Sequence, residues 1–295
     1  MRILIAAAGS RGDVAPYTGL GAALRGAGHE VALAATESFA YLAAEAGLEF
    51  RPLPADHRAH GGVRNRHELL RAAAAFMTHV GEGLADAVAE GADLPTGRPA
   101  GLTVTGSWWP YVDADAELPA DLEDFLAAGP RPVLVGFGSM AAGEGERLGG
   151  IAVRALRRAG LRGVLQSGSA GLAADGDDIL TVGDVPHSLL FPRLAAVVHH
   201  AGAGTSAAAL RAGVPSVTVP VAADQPFWAA RLASIGAATT PVPFRSLTAE
   251  RLADALAEAV REPSYARAAT AATRHMAPED GTGAVITAVE RSGPS

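Results

Sequence analysis

From its first residue the chain alternates apolar runs of strand length with segments of helical period, an order that few folds accommodate. Arg2–Ala8 reads as a strand, Ala15–Gly26 as a helix, Glu30–Ala35 as a strand, Ser38–Ala46 as a helix stopped by Gly47, and Leu48–Leu53 as a third strand. Strands joined through helices run parallel, because a parallel neighbour is reached only by a crossover. A polar loop at His57–Asn65 and a helix over Arg66–Glu90 are expected next, and Pro95–Ala100 breaks the pattern. It then restarts with a strand at Pro132–Phe137, a helix at Glu146–Ala159, and strands at Gly163–Ser167, Ile179–Val182 and Ala195–His200. Helices close the chain near Ala249–Arg261 and Ser264–Arg274. The restart predicts two α/β halves, with the boundary between residues 95 and 130.

Composition narrows the function. With 295 residues, 49% of them hydrophobic and 19% charged, the chain can bury a core in each half. A formal charge of −7 offers no basic footprint, so nucleic acid is not an expected partner. The absence of cysteine excludes disulfides and thiolate metal sites and fits a reducing cytoplasm. No run reaches the roughly 20 apolar residues of a membrane helix. The N-terminal apolar run, about six residues, falls short of a signal core. A cytoplasmic monomer or homodimer without an integral membrane segment is expected.

The chemistry concentrates in Val197–Gln225, VVHHAGAGTSAAALRAGVPSVTVPVAADQ. A strand that enters a glycine turn and then a helix leaves backbone N–H groups unpartnered at the helix mouth, where the helix dipole adds positive charge. Such a mouth suits a phosphate or diphosphate. Gly202 and Gly204 permit close approach, and Thr205 or Ser206 can cap the helix. Side chains alternate across a strand, so His199 and His200 do not chelate one metal. His200, nearest the turn, projects over the ligand site, and His199 suits a satisfied core position. Gly202, Gly204 and Ala207 also match G-x-G-x-x-A, with Asp224 20 residues beyond Gly204, so a dinucleotide-dependent oxidoreductase is a rival reading. The fingerprint normally opens its domain, whereas this one follows several strands. Asp224 and Gln225 read as a hydroxyl-binding pair in a loop.

Several separate motifs, in order, carry a family resemblance. GDVPHSLLFPR and VVHHAGAGTSAAALRAGVPSVTVPVAADQPFW resemble the donor-binding signature of the two-domain (GT-B) nucleotide-sugar glycosyltransferases of the UDP-glucuronosyl/glucosyltransferase family. AAAGSRGDVAPYTGLGAALRGAGHEV, TVTGSWWP and VGFGSM resemble the N-terminal motif, inter-domain junction and first C-terminal strand of its bacterial natural-product and sterol branch. The resemblance implies an α/β fold of two Rossmann-like doubly wound domains facing across a cleft. It implies an acceptor-side domain over 1–112, a donor domain over 113–278, and a tail at 279–295 that returns to the first domain. His200, Gly202, Gly204 and Thr205 would bind the donor diphosphate, with Gly138 and Ser139 closing on it. Val185 and His187 would border the nucleobase, and Asp224 and Gln225 would bind sugar hydroxyls.

The implied reaction is inverting and metal-independent transfer of a sugar from a UDP- or TDP-sugar co-substrate to a hydroxyl of a lipophilic natural-product or sterol-like acceptor, with no cofactor. Related enzymes carry a histidine base where this chain has Asp13, in Gly12-Asp13-Val14-Ala15-Pro16. Asp13 is thus the candidate base, with an N-cap near Ala15 as its rival role. Ser10 and Arg11 are acceptor-side candidates. Two departures stand out. Ala201 replaces a glycine common in the family, and the first half looks incomplete, with a segment missing near Leu94–Gly101. A nucleotide-sugar-binding auxiliary protein that has lost catalysis is therefore a third reading. His57, His60 and His67 read as a solvated loop, Trp108 and Trp109 as packing at the junction, and Pro226, Phe227 and Trp228 as packing beside the donor loop.

Overall fold

The computed structural model describes residues 1–53, 105–138, 143–168, 171–174 and 176–292. The expected helix at 66–90, the loop histidines His57, His60 and His67, the 94–101 junction and Ser139 lie outside the described residues. Two compact units are present. Met1–Asp115 with Glu279–Ser295 makes the first, and Ala116–Pro278 the second.

In the first unit, β1 (Arg2–Ala6), β2 (Glu30–Thr36) and β3 (Glu49–Leu53) form a parallel sheet in sequence order. Ile5 stands opposite Leu33, and Leu33 opposite Phe50. Helices α1 (Arg11–Gly26) and α2 (Ala40–Glu45) bury Val14, Leu20, Leu24, Leu42 and Ala43 with Ile5, Leu33 and Phe39. Helix α1 begins four residues before the expected Ala15. Ser10 is its extended N-cap, and Asp13 Oδ2 accepts from the Ser10 backbone N–H at 2.7 Å and from Ser10 Oγ at 2.8 Å. That cap draws the helix start upstream and leaves Pro16 inside the helix. The C-terminal helix α10 (Gly281–Ser292) presses Val285, Ile286 and Val289 against the same core.

The second unit is a five-stranded parallel sheet. Its strands are β4 (Val133–Gly136), β5 (Gly163–Gln166), β6 (Ile179–Val182), β7 (Ala196–His199) and β8 (Ser216–Thr218), in spatial order β6-β5-β4-β7-β8. One face is covered by α4 (Gly145–Ala159) and α8 (Ala249–Arg261), which pack Leu148, Ile151, Leu252 and Leu256 on Val133, Val135, Leu165 and Val198. The other face carries α3 (Ala120–Ala127), α5 (His187–Leu190) and α6 (Ala203–Ala212), around Leu122, Leu134, Val164, Phe191, Val197 and Ala209, and α9 (Pro263–Met276) meets α6 where Thr273 Oγ1 donates to the Leu210 carbonyl. Alternate residues of one strand thus serve opposite cores, which explains the continuous apolar runs. From β4 the chain moves outward through β5 and β6, then returns to the other side of β4 with β7. Open α/β sheets bind ligands at the carboxyl ends of the strands where the order reverses. Here that point is the adjacent ends of β4 and β7, where Gly136 pairs with His199.

Candidate active site

Period-2 alternation separates the two histidines. His199 ends β7 and is 1% exposed. Its Nδ1 accepts the Ala201 backbone N–H at 3.1 Å, while its Nε2 is buried without a hydrogen bond among the described residues. The expectation of a satisfied core histidine is therefore corrected to a half-satisfied one. Burial, with the neighbouring His200 and His187 adding to it, pushes the His199 pKa down to about 3. The imidazole is neutral, and because Nδ1 accepts, its proton sits on Nε2.

Beyond His199 the backbone turns sharply. Ala201 adopts φ 64°, a left-handed conformation rare for a residue with a Cβ, and is fully buried. Gly202 follows as the extended N-cap of α6. Neither Thr205 nor Ser206 caps this helix. The helix starts earlier than their capping would require, and the N-cap has no side-chain bond. The first intrahelical bond runs from the Ser206 N–H to the Gly202 carbonyl. The N–H groups of Ala203, Gly204 and Thr205 are left without a protein acceptor among the described residues. Around Gly204 there is open space, since a Cβ there would meet nothing within 4 Å.

His200 stands over this mouth. A Cβ on Gly202 would lie 2.6 Å from His200 Nε2, and one on Gly138, just past β4, would lie 2.9 Å from its Cε1. Gly138 has φ 57°, so glycine meets both a conformational and a steric demand there. The ring thus lies between the β4 end and the α6 mouth. Burial lowers the His200 pKa, and the Asp224 carboxylate opposes that shift, which places Asp224 within electrostatic reach. His200 Nδ1 is buried and makes no hydrogen bond among the described residues.

Asp224 and Gln225 are not in a loop. Asp224 is the N-cap of helix α7 (Gln225–Ser234), with Pro226 in its first turn. Asp224 Oδ2 accepts from Trp228 Nε1 at 2.8 Å. Gln225 is 3% exposed, and its Oε1 accepts the N–H groups of Val221 at 2.8 Å and Ala222 at 3.1 Å. The Gln225 carbonyl therefore fastens the loop after β8, a role its sequence context does not announce. Val185 is buried, and His187 opens α5 with its ring stacked 4.3 Å from Phe191. Phe227 is exposed and meets Trp228 edge-on.

In the first unit, Ala6–Ala8, Gly12, Asp13, Pro16, Tyr17, Thr105, Gly106 and Trp108 line a cavity of about 500 Å³. Asp13 is exposed and sits at its wall. With Oδ2 engaged by Ser10, Oδ1 is the oxygen left to meet a ligand. Gly9 has φ 135°, and a Cβ there would meet Asp13 Oδ2 at 2.5 Å, so the turn requires glycine. Trp108 packs on Tyr17 with ring centroids 5.3 Å apart, and its Nε1 donates to the Gly281 carbonyl. Ser10 and Arg11 flank the start of α1.

Two family models match this chain. The Glycosyltransferase family 28 N-terminal domain matches residues 3–90, and the Erythromycin biosynthesis protein CIII-like C-terminal domain matches residues 166–290. O-mycaminosyltylonolide 6-deoxyallosyltransferase of Streptomyces fradiae is 32% identical over 390 residues, covering 90% of this chain and 91% of the relative. The chain belongs to the GT-B glycosyltransferases. The alignment with the Streptomyces relative is longer than the chain's own 295 residues, so the relative carries positions with no counterpart here. A sterol 3-beta-glucosyltransferase of Arabidopsis thaliana is 36% identical over 201 residues, which are 64% of this chain and 31% of that enzyme. The GT-B chain thus spans about a third of the plant enzyme's length. A glycosyltransferase of Streptomyces sp. SF2575, solved with thymidine diphosphate, superposes with a TM-score of 0.68 at 24% identity, over 99% of both chains. That likeness shows the fold. Among the described residues no helix is long and apolar enough to cross a membrane.

Proposed function

We propose that the chain transfers a sugar from a nucleoside-diphosphate donor to a hydroxyl of a lipophilic small molecule, with inversion at the anomeric carbon. One observation carries the reading. At the β4/β7 reversal a histidine ring stands over three helix-mouth N–H groups that have no acceptor among the described residues, flanked by two glycines whose Cβ atoms would crowd it. Diphosphate oxygens fit that cradle. Asp224, N-cap of α7 and within electrostatic reach of His200, is the proposed hydroxyl acceptor for the donor sugar, with Gln225 shaping the loop beside it. Val185 and His187 border the proposed nucleobase position.

The acceptor is assigned to the first-unit cavity, whose Tyr17 and Trp108 suit an apolar ring system. Asp13 takes the proton from the acceptor hydroxyl as its oxygen bonds to the anomeric carbon. The bond from that carbon to the diphosphate breaks with its electron pair on the phosphate, and a single displacement inverts the centre. The α6 N–H groups and His200 stabilise the charge that develops on the leaving group, supplying electrostatically what a metal supplies in other transferases. The donors we infer are UDP- or TDP-sugars. One named relative is an O-mycaminosyltylonolide 6-deoxyallosyltransferase, another is a sterol 3-beta-glucosyltransferase, and the SF2575 structure holds thymidine diphosphate.

Calorimetric titration with UDP, TDP and NAD tests this reading. UDP or TDP is expected to bind. Removing a hydrogen bond to a charged group costs about 1.5–3 kcal/mol, so His200→Ala should weaken that binding roughly tenfold to a hundredfold. Gly202→Ala, whose new Cβ displaces the imidazole, should weaken it in the same direction. Tight NAD binding without a response to UDP or TDP would sink the transferase. Donor binding without transfer to any member of a broad acceptor panel would favour the auxiliary protein.

A further inference from the structure

We propose that His199 is a positioning residue of the donor site, and that its Nδ1 holds Ala201 in the left-handed conformation that aims His200 and the α6 mouth at the diphosphate. The inference rests on the donor-site reading above but concerns a different residue and a different bond. Ala201 is fully buried and has φ 64°, a region glycine enters freely and alanine enters at a cost. Its N–H points inward and, among the described residues, has one acceptor, His199 Nδ1 at 3.1 Å. Two residues of one strand end are thereby joined across the turn, with His200 between them. The position of the His200 ring against Gly138 and Gly202 follows from that turn. A neutral buried imidazole suits the task, because its Nδ1 keeps a lone pair and cannot be lost to solvent.

The consequence is specific to this chain. Where glycine stands at the turn, the left-handed conformation needs no assistance. With alanine there, the His199 bond offsets the strain and satisfies a buried donor that would otherwise be orphaned. Dependence on His199 is therefore expected to be strong with Ala201 and weaker with glycine at the same position.

The test compares His199→Phe, His199→Asn and the double variant His199→Phe/Ala201→Gly with the native chain. The measurements are affinity for UDP and TDP by calorimetry and exchange of the Ala201 amide with deuterium. Phenylalanine fills the space without an acceptor, whereas asparagine Oδ1 falls where Nδ1 was. The phenylalanine variant is expected to lose about tenfold in affinity. The asparagine variant should stay within about threefold, and the double variant should recover part of the loss, because glycine relieves the strain of the turn although its own N–H stays unpaired. Equal loss in the asparagine and phenylalanine variants, or no loss in a folded phenylalanine variant, overturns the proposal. If the phenylalanine variant fails to fold, the asparagine variant decides, and a tenfold loss there overturns it. Should the native chain bind neither nucleotide, the donor-site reading falls, and amide exchange still decides the role of His199. Protection of the Ala201 amide in the native and asparagine chains supports it, and rapid exchange in the native chain refutes it.

Discussion

Asp13→Asn is expected to lower kcat by about 10²–10⁴-fold, the usual contribution of a positioned base, while leaving UDP or TDP affinity and thermal stability close to native. The substitution separates the two roles the geometry gives this side chain. As a cap, Asp13 offers Oδ2 to the N–H and hydroxyl of Ser10, and asparagine can offer its own carbonyl oxygen to both. As a base, it must accept the acceptor's proton, which an amide does not do. Asp13→Ala removes both functions and is expected to add a stability loss of about 1 kcal/mol from the lost cap. Asp13→His would restore the residue that related enzymes carry and should recover part of the turnover. An asparagine variant with undiminished kcat, measured at saturating donor with an acceptor that the native chain turns over, would reduce Asp13 to a helix cap.

How far the sequence speaks depends on whether a residue's role is local. The sheet strands were legible because each is a short apolar run bounded by glycine, proline or polar residues, as at Val133–Gly136 and Ile179–Val182. The distinction between His199 and His200 was legible because side-chain alternation depends on nothing outside the strand. Helix α7 was not legible. Ala-Ala-Asp-Gln-Pro reads as a loop, yet Asp224 is the N-cap and Pro226 lies in the first turn of a helix there. Nor was Gln225, a polar residue whose burial depends on two N–H groups in a turn three and four positions away. Helix α10 contains glycines and β-branched residues that weaken its intrinsic propensity, and Val285, Ile286 and Val289 hold it against a core built nearly the whole chain length earlier. The strain at Ala201 was hidden for a related reason: alanine carries no mark of a left-handed turn, whereas glycine would have.

Acid is expected to destabilise the second unit in proportion to the burial of His199. In the folded chain its pKa is pushed down to about 3, first by burial and then by the like charge of His200 and His187, whereas an unfolded histidine titrates near 6.5. The unfolded chain therefore takes up the proton first. The stability tied to the neutral imidazole is whole above about pH 6.5 and drains away as the pH falls towards 3, at about 1.4 kcal/mol per pH unit. Between pH 6.5 and 4.5 that comes to roughly 2–3 kcal/mol, and ordinary carboxylates begin to titrate at the acid end of the same window. His200 contributes in the same direction, since burial lowers its pKa as well, although the Asp224 carboxylate holds part of that shift back. The contribution of His199 is isolated by difference. His199→Asn has no proton to gain, so its urea-unfolding free energy should fall less steeply across the same window, and the native and variant curves should converge as the pH drops. Bound UDP or TDP should not be present, because a diphosphate over His200 would favour that residue's charged form and reverse its share of the slope. Parallel curves for the two chains would mean that His199 is solvated in the folded protein, and the dry contact between its Nδ1 and the Ala201 amide would then have to be given up.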